Sequence, residues 1–150
     1  MTIRDFTKDD WEAYLSMART FYSGDATLFT LPEAHFRRTY ELGIVGSPHM
    51  RMLMLTDETG EVQGYAHLAF SWTCEAGGLV CWLEEIYIQE AYRGQGYAKA
   101  FMDWLFEEYG DSCARFRLEV CPENMGVKLL YEKMGFSQLP YIQMVKRGKA

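Results

Sequence analysis

The hexapeptide Arg93-Gly94-Gln95-Gly96-Tyr97-Ala98 stands between the apolar run "VCWLEEIYI" and the amphipathic stretch "KAFMDWLFEEYG". A strand that passes into a helix through glycines aims the helix's free N–H groups at the space beyond the strand end. Those donors and the helix dipole favour an anion, above all a phosphate. Gly94 and Gly96 let main chain approach such a ligand with no Cβ in the way, and Arg93 adds a planar cationic fork for phosphate oxygens. The competing reading is a tight turn with no ligand, and two glycines alone do not displace it. Lys99 stands where the third glycine of GxGxxG would fall, and no GK[ST] follows. Neither the dinucleotide fingerprint nor the P-loop therefore describes the stretch, which reads as a phosphate cradle of a third kind.

A strand and a helix must position that cradle, and the rest of the chain supplies their surroundings. "TIRDF" alternates as a first strand. Thr7 is placed to cap a helix with Asp9 and Asp10 in its first turn, and Trp11, Tyr14, Leu15, Ala18, Phe21 and Tyr22 recur at helical spacing. A second helix is predicted from Thr30, with Pro32 early and Glu33 in capping-box position, ending near Gly43 or Gly46. "MRMLMLT" and "EVQGYAHLAFSW" flank the turn "DETG" as a hairpin, and "VCWLEEIYI" is a third β run. A helix follows the glycines to about Tyr109, then the strand "ARFRLEV". Asn124 caps a last helix with the stripe Val127, Leu130, Tyr131 and Met134, Gly135 ends it, and "YIQMV" is a closing strand. The order β-α-α-β-β-β-α-β-α-β predicts an α/β (mixed α+β) fold. The hairpin implies antiparallel pairing, and the strand-helix-strand unit around the glycines implies a parallel crossover. The sheet is thus mixed, with helices on both faces.

Length and composition bound the function. The 150 residues suit one domain, 1–150, and 49% hydrophobic and 15% aromatic residues supply a core. A formal net charge of -6 argues against a nucleic-acid partner and suits a cationic substrate without requiring one. The longest apolar runs are short and interrupted, and "MTIRDFTKDD" lacks the apolar centre of a signal peptide, so no membrane association is expected. Cys74, Cys81, Cys113 and Cys121 form no CxxC and read as reduced thiols of a cytoplasmic protein, several of them in strands. His35, His49 and His67 fall at loops and element edges without metal spacing, so no metal site is expected.

"LEEIYIQEAYRGQGYAKAFMDWL" resembles the acetyl-CoA-binding motif of the GCN5-related N-acetyltransferase (GNAT) superfamily. The family pattern is Arg or Gln, two residues, Gly, one residue, then Gly or Ala, and Arg93, Gly96 and Ala98 fill it. "VCPENMGVKLLYEKMGF" resembles the family's strand, Asn-containing turn and helix, and "MTIRDFTKDDWEAYLSMARTFY" resembles its first strand and helix more loosely. Close similarity runs from about Trp82 to Phe136, and the element order agrees over the whole chain. The family's frequent proline before the arginine is replaced by Glu90-Ala91-Tyr92. The resemblance implies that Arg93, Gly94, Gln95, Gly96, Tyr97 and Ala98 bind the pyrophosphate of coenzyme A. It implies that the strand carrying Ile86 and Ile88 pairs with the pantetheine arm between two splayed parallel strands, and that Asn124 and Tyr131 line the far side.

Acetyl transfer to an amine needs a neutral amine, a donor for the developing oxyanion and a proton for the departing thiolate. Strand alternation puts Glu84 on the side of Trp82, Ile86 and Ile88, where apolar neighbours raise its pKa and make it the candidate base. The related diamine acetyltransferases, to which the chain is loosely similar, carry a glutamate at that position. Glu85 faces the other way and is a candidate to hold a cationic substrate; the plain alternative for both is a solvated or paired strand-edge acid. The N–H of Ile86 or Tyr87 is a candidate oxyanion donor if a bulge frees it. Tyr131 is the candidate acid, with a core tyrosine as the alternative. Cys121, on the strand facing the cleft, has no partnered histidine, so direct transfer ranks above an acyl-enzyme. By the resemblance, Phe21, Tyr22 and Asp25 are candidate acceptor contacts, and a homodimer is expected by analogy. The expected function is acetyl transfer from acetyl-CoA to a small, amino-acid-derived or peptide or protein amine. A silent acyl-CoA-binding sensor of the same fold is the alternative.

Overall fold

The strand Met50–Thr56 shows why this chain makes a sheet covered on two sides. Its sequence MRMLMLT is apolar at almost every position, so successive side chains need a core on each face. Met52 and Met54 enter one core and Leu53 and Leu55 the other, all buried. The computed structural model describes residues 1–24, 27 and 30–148. In chain order it contains β1 (Thr2–Asp5), α1 (Trp11–Ser23), α2 (Glu33–Val45), β2 (Met50–Thr56), β3 (Val62–Thr73), β4 (Gly78–Ile88), a 3-10 turn (Glu90–Tyr92), α3 (Tyr97–Tyr109), β5 (Arg115–Leu118) and α4 (Met125–Lys133). The sheet order is β1-β2-β3-β4-β5, antiparallel through β4 and parallel between β4 and β5. The mixed sheet expected from the element order is therefore present.

Tyr14, Leu15, Met17 and Ala18 of α1 and Phe36 and Tyr40 of α2 pack on Met52, Met54 and Tyr65. On the opposite face Phe101, Met102 and Leu105 of α3 and Tyr131 of α4 pack on Leu53, Leu55, Ala66, Leu68, Cys81 and Leu83. No helix among the described residues is long and apolar enough to cross a membrane.

Several predicted details are corrected. α1 begins at Trp11, because Thr7 opens a turn instead of capping the helix: its N–H and Oγ1 donate to Asp10 Oδ2 at 2.6 and 2.9 Å. The Arg4 guanidinium also binds Asp10 through both Nη atoms at 2.8 Å, so β1 and the start of α1 are tied through one buried carboxylate. α2 begins at Glu33, not at Thr30; Pro32 keeps an extended backbone (ψ 145°) and no side chain caps the helix. Only Cys81 lies in a strand, and none of the four cysteines is in a disulfide. The expected closing strand is absent. Residues 137–148 contain no strand, and Ile142, Met144 and Val145 are about nine-tenths exposed.

At Gly64 of β3 an added Cβ would strike the Tyr87 carbonyl oxygen of β4, a rigid main-chain atom. Gly64→Ala must push the far end of β4 from β3. The expected loss is about 2 kcal/mol, the scale of overpacking in a tight interior. Thermal unfolding should show it as a fall in Tm of roughly 6 °C. An unshifted Tm would mean that the two strands yield freely at this point.

Candidate active site at the splayed end of β4

β4 carries the irregularity that builds the site. Leu83 pairs with Leu68 and Glu85 with His67, so Glu84 is an inserted residue and the strand bulges there. The pairing with β5 runs from Val80↔Arg115 to Leu83↔Leu118 and then stops, while β4 continues to Ile88. Beyond the bulge, β4 therefore has a neighbour on one side only. Gln89 N–H bonds Gln63 O, which fixes the phase of the antiparallel ladder. By alternation Glu85 and Tyr87 turn their main-chain groups toward β3, and Ile86 and Ile88 turn theirs into the gap. The bulge required for an exposed N–H is thus present, and the residue it favours is Ile86.

The bulge corrects the predicted facing of Glu84 alone; Glu85 faces away from Ile86 and Ile88, as the alternation predicted. Ile86 and Ile88 pack on the α3 and α4 side, together with Leu79, Cys81 and Leu83. Glu85 reaches Tyr65 and Tyr22 on the α1 side, and Glu84, one residue earlier, stands with it opposite His67 instead of beside the isoleucines. Glu84 reaches solvent. Partial burial raises its pKa; His67 opposes the rise, and the charges of Glu119 and Glu85 add to it. Glu85 is buried. Its Oε1 accepts from Tyr22 Oη at 2.7 Å and its Oε2 from Tyr65 Oη at 2.6 Å. Burial alone would raise this carboxyl; the contacts with His67, Tyr65 and Tyr22 outweigh it and hold the pKa below the ordinary value. Burial, with the Glu85 charge, pushes both phenols up, so they stay protonated donors.

The glycine loop lies past the same end of β4. Gly94 and Gly96 have φ of 74° and 86°, and an added Cβ at either would meet nothing within 4 Å. The loop is thus open, and its conformation is one that side chains disfavour. Gly96 is the N-cap of α3, and the first intrahelical bond runs from Ala100 N–H to its carbonyl. The N–H groups before Ala100 belong to the unsatisfied first turn. Gln95 Nε2 ties the loop to Ala91 O at 2.9 Å, and Tyr97 Oη accepts from Gln63 Nε2 at 3.2 Å. Arg93 turns back over Tyr87 and donates Nε–H to Ile88 O at 3.0 Å; its Nη groups have no partner among the described residues. Ala98 sits in the first turn of α3. An anionic head with an extended arm fits this surface: bare amides at the helix start, then an unpaired strand edge.

Tyr131 lies on α4 with its ring buried against Phe136, centroids 5.7 Å apart. Its hydroxyl has no protein partner among the described residues and is not sealed from solvent, and burial raises its pKa. Asn124 caps α4, accepting from Val127 N–H at 3.4 Å, as its position predicted. Cys121 follows the end of β5 and is not in the strand. Phe21 and Tyr22 stack edge to face at the end of α1, at 5.1 Å, and Tyr22 links them to the bulge. Asp25 lies outside the described residues. Sequence reasoning missed Tyr65 and His67; the alternation of "GYAHLAF" places them on one face, but only pairing with β4 reveals that they face acids. Among the described residues no group of three or more His, Cys, Asp or Glu side chains could hold a metal ion.

The fold is shared with several solved structures. A possible acetyltransferase from Clostridium difficile 630 superposes with a TM-score of 0.83 at 15% identity, over 99% of this chain and 98% of its own. AAC(6')-Iy, solved with the bisubstrate analog CoA-S-monomethyl-acetylneamine, gives 0.77 at 16% identity over 98% and 97%. A ribosomal-protein-alanine N-acetyltransferase from Brucella melitensis biovar Abortus 2308 gives 0.73 at 16% identity over 99% and 100%. No curated protein matches the chain in sequence. Residues 7–136 match the Acetyltransferase (GNAT) family, and by that match, with the splayed strands and the glycine loop in place, the chain belongs to this family.

Proposed function

We propose that this N-acetyltransferase, one domain over residues 1–150, moves the acetyl group of acetyl-CoA directly to the neutral form of a primary amine. The observation that carries the reading is the meeting of three features at one end of β4: an open left-handed glycine loop, an unpaired strand edge, and a solvent-reaching carboxylate at the bulge. Bound acetyl-CoA supplies an acetyl thioester. The amides from Gly94 to Ala98, with Arg93, would hold its pyrophosphate, and the main chain of Ile86 and Ile88 would hold the pantetheine arm. Asn124 lines the far side.

Glu84 takes up the proton of the amine. An alkylammonium has a pKa of roughly 10, so the acceptor arrives charged and a nearby carboxylate both attracts it and draws off the proton. The N–H of Ile86 faces the charge that grows on the carbonyl oxygen; Tyr131 gives a proton to the departing sulfur and regains one from solvent, to which the nitrogen's second proton is lost as the amide forms. Phe21 and Tyr22 wall the acceptor, and Glu85 holds Tyr22 in that wall. The acids at the bulge and the net charge of -6 favour a small cationic amine over an amino-acid-derived or peptide amine. The absence of disulfides suits a reducing, cytoplasmic setting.

Thiol release from acetyl-CoA, followed across a panel of amines, tests the reaction. Binding of acetyl-CoA with no release for any amine would leave an acyl-CoA-binding module in its place. Glu84 itself is tested by pH. It works deprotonated, and its pKa is raised, so kcat/KM should fall away as pH drops through a value above the ordinary glutamate value of about 4.3. Glu84→Gln should erase that limb and lower kcat about 100-fold. A profile left unchanged by the substitution removes Glu84 from the mechanism.

A further inference from the structure

Beyond α4 the chain carries more apolar surface than a single copy covers. Tyr141 is 60% exposed, and Ile142, Met144 and Val145 are 90% or more exposed. Soluble monomers seldom leave large apolar side chains bare in such a cluster. The stretch Tyr141-Ile142-Gln143-Met144-Val145 has strand composition; extended, it puts Ile142 and Met144 on one face and Tyr141 and Val145 on the other. The same molecule has a sheet edge without a strand on it. β5 has β4 on one side and no strand on the other, so its outer main-chain groups are open to pairing. Phe116 and Leu118 of β5, and Val120 beyond it, are only partly buried at the rim of the core under α3 and α4. The segment nevertheless does not pair with its own β5. Phe136 packs on Phe106, which itself packs on Phe116, so the chain leaves α4 level with β5. Tyr141 Oη then donates to Glu75 Oε2 at 3.1 Å, while Arg115, the first residue of β5, holds Oε1 of the same carboxylate at 2.8 Å. By Tyr141 the chain has thus reached the turn between β3 and β4, at the start of β5. Ile142, Met144 and Val145 follow this anchor and, at nine-tenths exposure, rest on nothing of their own sheet.

We propose that the chain forms a two-fold dimer in which residues 141–147 of each copy add as a strand to the outer edge of β5 in the other. A second copy is the occupant because each chain brings both halves of the contact, an open edge and an apolar segment that its own sheet leaves bare. Closure onto the chain's own β5 would require Tyr141 to leave Glu75 and the segment to turn back. The two exchanges are identical by symmetry, so both segments and both β5 edges are used at once. Main-chain hydrogen bonds along the edge supply the pairing, and one apolar face of the added strand extends the row Phe116, Leu118 and Val120. Fully covered, the exposed parts of Tyr141, Ile142, Met144 and Val145 approach the roughly 800 Å² per partner of a standard interface.

The test uses the whole chain and needs no activity, so it stands apart from the acetyl-transfer reading. Sedimentation equilibrium at micromolar concentration should give twice the single-chain mass of 17.4 kDa. Hydrogen exchange read by mass spectrometry should show protected amides at residues 142–146 and along β5, and on dilution the protection at 142–146 should fall together with the mass. The double variant Ile142→Asp, Met144→Asp should raise the dimer Kd at least 100-fold and lose the protection at 142–146. It should keep its circular dichroism, because both side chains are bare in the single copy. Should that variant fail to fold, the wild-type mass and protection decide alone. A single-chain mass at every concentration overturns the proposal. So does a dimer whose 142–146 amides exchange freely, which would join through another face, and so does a folded variant that stays dimeric. Protection that survives dilution to the single copy places the segment on its own sheet and overturns it as well.

Discussion

Gly96→Leu should weaken acetyl-CoA binding by about 100-fold, near 2.7 kcal/mol, while the protein stays folded. The two halves of that statement have separate physical grounds. Gly96 has φ 86° and ψ 5°, and a non-glycine residue there costs about 1–2 kcal/mol of backbone strain. That strain falls at the solvent-facing mouth of α3, where a Cβ would meet no neighbour within 4 Å, so no clash adds to it. The empty space is also the space a pyrophosphate must occupy to reach the amides of the first turn. A leucine side chain fills it and holds the anion away from those donors. Gly96→Ala separates the terms: it keeps most of the strain and adds far less bulk, so its affinity should fall by less. Titration calorimetry with acetyl-CoA, beside a thermal melt of each variant, reads both. Affinity within three-fold of wild type in a folded Gly96→Leu protein would place the pyrophosphate elsewhere.

The same loop marks how far local sequence signals reach. Gly94, Gly96 and the stripe Phe101, Trp104 and Leu105 are such signals, and signals of this kind carried the element order, the mixed sheet and the start of α3. The bulge at Glu84 was not legible. Two adjacent glutamates look like one acid per face, and only the register against His67 and Leu68, about seventeen residues earlier, reveals the inserted residue. That single insertion reverses the facing of Glu84 relative to Ile86 and Ile88 and brings His67 opposite the acids. The helix starts failed for a related reason. Thr7 and Thr30 have capping chemistry, but Asp10 draws in Thr7 and Arg4, and Pro32 keeps the chain extended. The last strand failed because strand propensity is a packing preference, not a backbone one. Tyr141, Ile142 and Val145 have the right side chains, yet in this structure they pair with no strand.

Tyr131→Phe should lower kcat by about 10- to 100-fold, leave acetyl-CoA affinity within two-fold and leave Tm nearly unshifted. The ring packs against Phe136 within the core between the sheet and α3 and α4, and phenylalanine keeps that packing. The hydroxyl has no protein partner among the described residues, so its removal strands no buried donor or acceptor and costs little stability. Burial raises the phenol pKa, so the group remains a protonated donor throughout the neutral range. The departing group sets the size of the effect. A thiol has an ordinary pKa of about 8.5, so its thiolate leaves with moderate ease and a proton donor contributes less than it would to an alkoxide. The expected loss therefore sits at the low end of general acid catalysis, and it falls in kcat because the help comes only as the carbon–sulfur bond breaks. Wild-type kcat in Tyr131→Phe would confine the tyrosine to packing and let the sulfur depart unassisted. A loss confined to acetyl-CoA affinity would instead make it a wall of the cofactor cleft.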